Sequence, residues 1–148
     1  MKKILFLCTA NSCRSQMAEG FAREFGKGIV EVHSAGLMAA GVHPRAITVM
    51  KELGIDISGQ KSKTIDADLF VPMDLVIILC SNVEKFCPRA PLGVKRLFWP
   101  IRDPVGTIGT EKQIMKDFRR ARDEIKAQVA WLIREIAGSE TQSSDSAV

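Results

Sequence analysis

The stretch KKILFLCTANSCRSQMAEGF, residues 2–21, decides the fold, and the rest of the chain is best taken outward from it. After its two lysines the segment up to Cys8 is unbroken apolar sequence, the pattern of a strand buried on both faces. From Ser15 the period changes: Met17, Phe21 and Phe25 fall on one helical stripe that ends near Gly26 and Gly28. Between strand and helix sits a short loop carrying Cys8, Cys13 and Arg14. A buried strand running directly into a helix is the opening of an α/β sheet.

The remaining segments extend that alternation. IVEVHSAG predicts a second strand closed by Gly36, and Pro44 suits a first helical residue, followed by Ile47, Met50 and Leu53 with Gly54 as the stop. The polar stretch DISGQKSKTIDADLF leaves room for a short helix before DLVIILC, a second strongly buried strand, and VKRLFW is a weaker strand. TEKQ, Thr110–Gln113, is a capping box opening the longest helix, with Ile114, Phe118, Ala121, Ile125, Val129 and Leu132 on its buried side. That helix is expected to end near Gly138, giving one domain over residues 1–137 and a disordered tail over 138–148. The fold expected is a three-layer α/β domain with a central, mainly parallel, four-stranded sheet flanked by helices. Ligands in such sheets bind at the carboxyl ends of the strands, where both Cys8 and Cys80 lie.

Composition narrows the function. At 148 residues and 46% hydrophobic content the chain suits one globular domain. No run approaches the roughly 18 apolar residues of a membrane span, and MKKILFLC lacks a signal peptide's length and cleavage site, so a cytoplasmic protein is expected. Four cysteines in that setting point to reduced thiols rather than a disulfide scaffold. The net charge of +4 includes the acidic Glu140 and Asp145 of the tail, so the body is more basic still and suits an anionic substrate. Tyr is absent and no Lys/Arg cluster is interleaved with stacking aromatics, which argues against nucleic acid.

The loop carries the chemistry. In CTANSCRS, Cys8 is followed after five residues by Arg14, with a helix starting at once beyond. Successive backbone N–H groups of Thr9, Ala10, Asn11, Ser12, Cys13, Arg14 and Ser15 can form a concavity that the helix N-terminus makes positive, a site for a tetrahedral oxyanion. Arg14 adds a fork of donors, and the same field favours a thiolate at Cys8. Cys13 is taken as a small packing residue inside the loop, and the spacings C-x4-C and C-x6-C fit structural zinc poorly. His33 and His43 are isolated, one a strand residue and the other a helix-boundary residue, and Trp99 and Trp131 are packing residues.

With these residues in place, the chain resembles the thioredoxin-coupled arsenate reductases, which share the fold of the low-molecular-weight protein tyrosine phosphatases. The resemblance is carried by FLCTANSCRSQMAEGFA, SAG, HPRAITVMKELGIDIS, DLVIILC, Cys87–Pro88, VKR with the following Trp99, and Asp103–Pro104, from residue 4 to about 136. It implies Cys8 as nucleophile, Arg14 and Ser15 as binding or activating residues, Asn11 as the loop's organiser and Asp103 as the acid that protonates the departing oxygen. It further implies Cys80 and Cys87 as resolving thiols, with a Cys8–Cys80 disulfide followed by a Cys80–Cys87 disulfide that thioredoxin reduces. No resident cofactor or metal is implied; arsenate is the substrate, phosphate and sulfate compete, and a monomer is expected.

Some of the resembling reductases hold potassium with residues matching Asn11, Glu19 and Ser34 plus an acid, and where the acid would stand this chain has Lys63, so no bound potassium is expected. Two other functions compete. A low-molecular-weight tyrosine phosphatase would share Cys8, Arg14 and Asp103, but such enzymes carry aromatic residues after the Asp-Pro pair, and here the sequence is DPVG with Cys80 and Cys87 in addition. A non-enzymatic oxyanion or redox sensor would use the same thiols without turnover. Because arsenate and phosphate are near-isosteric, weak phosphatase activity accompanies the reductase expectation.

Overall fold

The computed structural model describes residues 1–86 and 93–146. Its centre is a sheet of β1 (Lys2–Cys8), β2 (Val30–Gly36), β3 (Leu75–Ile78) and β4 (Lys95–Phe98), in the order β2-β1-β3-β4 with each neighbouring pair parallel. The apolar run decides which strand is central: Ile4, Leu5, Phe6 and Leu7 are fully buried because β1 is paired on both edges and covered on both faces. β4 is an edge strand, and its alternation fades accordingly; Lys95, Arg96 and Phe98 are exposed.

The helices are α1 (Arg14–Phe25), α2 (Pro44–Lys51), α3 (Ala67–Phe70), α4 (Ser81–Phe86) and α5 (Glu111–Ser146). α1 packs on β1, β2 and α5, α2 on α5, and α4 against β1 and β3. Phe6, Phe21, Phe70 and Phe118 are the largest fully buried side chains of the core. Full burial of such a side chain is worth about 1.5–3 kcal/mol. No helix among the described residues is long and apolar enough to cross a membrane.

The capping box forms in both directions: Gln113 N–H donates to Thr110 Oγ1 at 3.2 Å and Thr110 N–H to Gln113 Oε1 at 2.8 Å. Phe118, Ala121, Ile125, Val129 and Leu132 are buried along α5 as the periodicity requires. Three expectations differ from what is found. α5 runs past Gly138 to Ser146, because an interior glycine costs only about 1 kcal/mol and deletes no hydrogen bond. Leu53 lies beyond α2 and is 39% exposed; the chain turns at Gly54, whose φ of 78° suits glycine. Trp131 is exposed on the outer side of α5, whereas Trp99 is buried as expected of a packing residue.

The register also places the site. Leu7 pairs with Ile78, and two residues further along both chains Thr9 meets Cys80 at the carboxyl ends of β1 and β3. Cys87 and Pro88 lie outside the described residues.

Candidate active site

Cys8 ends β1, is buried, and sets its sulfur 2.8 Å from Ser15 Oγ. The loop beyond it is held from behind. Carbonyls of Thr9, Ala10 and Ser12 accept from the N–H groups of Met38, Ala40 and His43 at 3.0, 3.0 and 2.9 Å. In a trans peptide the N–H points opposite to the C=O, so outward-held carbonyls turn loop N–H groups toward the cavity. Cys13 is the N-cap of α1 and makes no side-chain cap, so the helix's first donors also face an incoming anion.

Asn11 organises this arrangement. It has a φ of 45°, in the left-handed region that Asn tolerates better than most side chains. Its Nδ2 donates to Ser15 Oγ at 2.8 Å and Ser34 Oγ at 2.9 Å, and its Oδ1 accepts the Lys63 N–H at 2.7 Å. Ser15, already accepting from Asn11, has its own O–H to donate to the Cys8 sulfur. Ser34 in turn donates to buried Glu19 at 3.0 Å. The Lys63 ammonium does not enter this cluster; it donates to the Lys61 carbonyl at 3.0 Å.

Arg14 opens α1 with its guanidinium buried. Nη1 donates to the Ile101 carbonyl at 2.9 Å, and Nη2 lies 3.3 Å from Asp103 Oδ2. Asp103 is half exposed, and its Oδ1 accepts the Val105 N–H at 2.9 Å. Cys80 is buried, with its sulfur 3.2 Å from Thr9 Oγ1. Burial, then the neighbouring Cys8 and Asp103 charges, push the Cys13 thiol far above the ordinary thiol range, which keeps it protonated and suits a packing role.

Two cavities meet at these residues. One of about 290 Å³ is walled by Cys8, Ser12, Ala40, His43 and Val105, and one of about 520 Å³ by Cys80, Ser81, Asn82, Pro100 and Arg102; Thr9, Arg14 and Asp103 border both. His43 is the N-cap of α2, its Nδ1 accepting from Arg45 N–H at 3.1 Å, and burial followed by the Arg45 charge lowers its pKa. His33 stands on β2 beside Glu31. Among the described residues no group of three His, Cys, Asp or Glu side chains is arranged to hold a metal.

Several supports were not legible in the sequence. Gln16 is fully buried and donates to the carbonyls of Asn11 and Lys61, each at 3.1 Å, while Ser62 Oγ donates to Asn11 O at 2.8 Å. Gly36 is more than a strand terminator: a Cβ there would lie 2.5 Å from the Asn11 nitrogen. Only the glycine signalled anything in advance, as a site of close backbone approach.

A thiol at the end of a central parallel strand, a loop with its carbonyls held outward and an arginine at the first helical position make a site whose chemistry suits an oxyanion, built on an α/β sheet. The chain belongs to the low molecular weight phosphotyrosine protein phosphatase family, whose model matches residues 3–142. Within that family it is 49% identical over 124 residues to an arsenate reductase of Bacillus subtilis, covering 84% of this chain and 89% of that protein. An arsenate reductase solved in the phosphate binding state superposes with a TM-score of 0.71 at 40% identity, over 92% of this chain and 99% of the other. A thioredoxin-dependent arsenate reductase of Corynebacterium glutamicum superposes with a TM-score of 0.73 at 26% identity, over 94% of this chain and 63% of that one.

Proposed function

We infer that this chain is an arsenate reductase that turns over through its own thiols. The observation that carries the reading is the pair Cys8 and Cys80, buried at the ends of adjacent strands on either side of one oxyanion loop and linked through Thr9. Ester hydrolysis needs only the first thiol. Reducing arsenic(V) to arsenic(III) takes two electrons, which two thiols supply when they become one disulfide.

The Cys8 sulfur attacks arsenic while Arg14 and the loop N–H groups hold the oxygens, and Asp103 gives its proton to the oxygen that leaves as water. Cys80 then attacks the Cys8 sulfur. The electron pair of the sulfur–arsenic bond stays on arsenic, arsenite departs, and a Cys8–Cys80 disulfide remains. Cys87 attacks Cys80 in turn and releases Cys8, and the dithiol of thioredoxin reduces the Cys80–Cys87 bridge, so that no resident cofactor is needed. Phosphate and sulfate compete for the same loop.

α4 bears on the third step. Its six residues, Ser81–Phe86, separate Cys80 from the next thiol in the chain. Were the helical rise of about 1.5 Å to hold over the seven-residue separation of Cys80 and Cys87, their Cα atoms would stand ~10 Å apart, beyond the ~6.8 Å that a disulfide tolerates. The bridge therefore requires α4 to open.

Phosphatase activity is the second reading, favoured by the Cys8, Arg14 and Asp103 constellation itself. The cavity over Cys8 is walled by Ala40, His43 and Val105 rather than by tyrosine or tryptophan, which leaves little to grip a phosphotyrosine ring. The deciding experiment mixes the protein with arsenate, thioredoxin, thioredoxin reductase and NADPH, beside a para-nitrophenyl phosphate assay. Arsenate-dependent NADPH oxidation far faster than ester hydrolysis is expected; ester hydrolysis alone would make the chain a phosphatase.

A further inference from the structure

Asp103 reaches the site from a loop that does little to hold itself. Ile101 N–H is anchored to Leu79 O at 3.2 Å, but beyond it the internal bonds are the Val105 N–H to Asp103 turn and a long Thr107 N–H to Pro104 O contact of 3.4 Å. Gly106 and Gly109, with φ of 110° and 150°, follow directly. An acid on so lightly braced a loop would sample many positions, whereas proton transfer needs it within hydrogen-bond reach of one oxygen.

Arg14 of α1 holds the loop at the Ile101 carbonyl and at Asp103 itself, and the bracing on both sides of Asp103–Pro104 comes from α5. Asp117 Oδ1 accepts from Arg102 Nη2 at 2.9 Å, and its Oδ2 accepts from the Thr107 hydroxyl, so one carboxylate grips the loop on both sides of Asp103–Pro104. Arg120 completes the clamp: Nε donates to Asp117 Oδ1 at 2.7 Å and Nη2 to the Arg102 carbonyl at 3.0 Å. The Asp117 side chain is only 11% exposed, so the Arg120 and Thr107 bonds are partly shielded from water, whereas the Arg102 side of the clamp is open to solvent. The hydrogen bond from Arg120, with help from Thr107, holds the Asp117 carboxyl below the usual carboxylate range and keeps it ionised at neutral pH.

We propose that Asp117, seated on Arg120, is a positioning residue for arsenate reduction, clamping Arg102 and Thr107 so that the loop presents Asp103 to the oxygen leaving arsenic. It touches no reacting atom and acts only through the loop. The proposal rests on Asp103 being the acid.

The test is single-turnover arsenate reduction by Asp117→Ala, Asp103→Asn and the double variant, with orthophosphate affinity and amide exchange measured on each. Asp117→Ala should slow the chemical step roughly tenfold, as expected for a misplaced catalytic group. It should change orthophosphate affinity by less than about twofold. Exchange at Val105 and Thr107 should rise, and on the Asp103→Asn background the same substitution should cost nothing further. Arg102→Ala, whose side chain is 73% exposed and whose loss leaves α5 intact, should act in the same direction by about threefold. A wild-type rate in Asp117→Ala, or a cost undiminished by Asp103→Asn, would reduce the cluster to a stabiliser of α5. A wild-type rate in Asp103→Asn itself overturns the acid assignment first, and the clamp's role with it.

Discussion

Cys8 and Cys80 lie at the carboxyl ends of neighbouring strands, yet the chain after each is held very differently. After Cys8 comes a loop whose carbonyls are taken by residues 38–43 and by Gln16 and Ser62, followed by the twelve-residue helix α1. After Cys80 comes α4, six residues long, well below the roughly 12–15 at which an isolated helix becomes even marginal. The contrast separates two physical demands. An oxyanion is stabilised by donors that do not move as charge develops, whereas a thiol relay has to carry a sulfur from one partner to the next.

The largest effect that sharpens this contrast is at the thiols. Cys8→Ser should abolish both arsenate reduction and phosphate ester hydrolysis, whereas Cys80→Ser and Cys87→Ser should spare ester hydrolysis and stop multiple turnover of arsenate. Parallel assays of the three variants decide it; sustained reduction by Cys87→Ser would break the relay half of the comparison.

Next comes the rigid half. Gly36→Ala would press a methyl group against the Asn11 nitrogen and the Cys8 and Met38 carbonyls, all backbone atoms that cannot swing aside. A loss of about 1–3 kcal/mol of stability is expected from such overpacking. Orthophosphate affinity should fall with it, by roughly tenfold, as the loop donors shift. Urea unfolding and calorimetric titration measure the two. Unchanged affinity would mean that the loop tolerates displacement and is not held rigid from behind.

A smaller change is expected in α4. Amide exchange over residues 81–86 should quicken several-fold when the reduced protein is oxidised, since opening a helix this short costs little. Equal protection in both redox states would contradict a relay that unwinds.

The smallest effect touches neither half. Glu52 accepts from Arg119 at 2.8 Å and from Arg122 at 2.7 Å, tying the end of α2 to α5. The Arg119 hydrogen bond, and then Arg122, hold its carboxyl below the ordinary 4.5. A depressed folded-state value contributes stability that is present above the ordinary value and lost as pH falls through the folded one. Glu52→Gln should therefore cost under about 1 kcal/mol at pH 7, since the pair is partly exposed to water. The deficit should shrink as pH falls below 4.5, which urea midpoints at two pH values can follow.

Much of the molecule was legible beforehand because it is locally encoded. The apolar run of β1, the loop after Cys8, the stripe of α1 and the Thr110–Gln113 capping box depend on residues a few positions apart, and each forms where the sequence predicts it. Local reading errs at Leu53, which lies beyond α2, and at Gly138, which reads as a stop like Gly54 but lies within α5. At Gly54 the backbone does need the left-handed conformation, whereas at Gly138 helical hydrogen bonding simply continues. Thiols and arginine within one loop could likewise be recognised from their chemistry, without knowing what surrounds them.

Only tertiary structure decided what makes that loop a site. Asn11 is locked by Ser34 and Lys63, Gln16 reaches Lys61, Arg14 reaches Ile101, and Thr9 meets Cys80. Asp117 reads in sequence only as half of an i,i+3 pair with Arg120, yet it grips the segment that carries Asp103. None of these partners is signalled by spacing, since strand order and register determine which distant segments arrive beside β1. A periodic pattern specifies which face of an element is buried; it carries no information on which hydrogen-bonding group, tens of residues away, will stand against it.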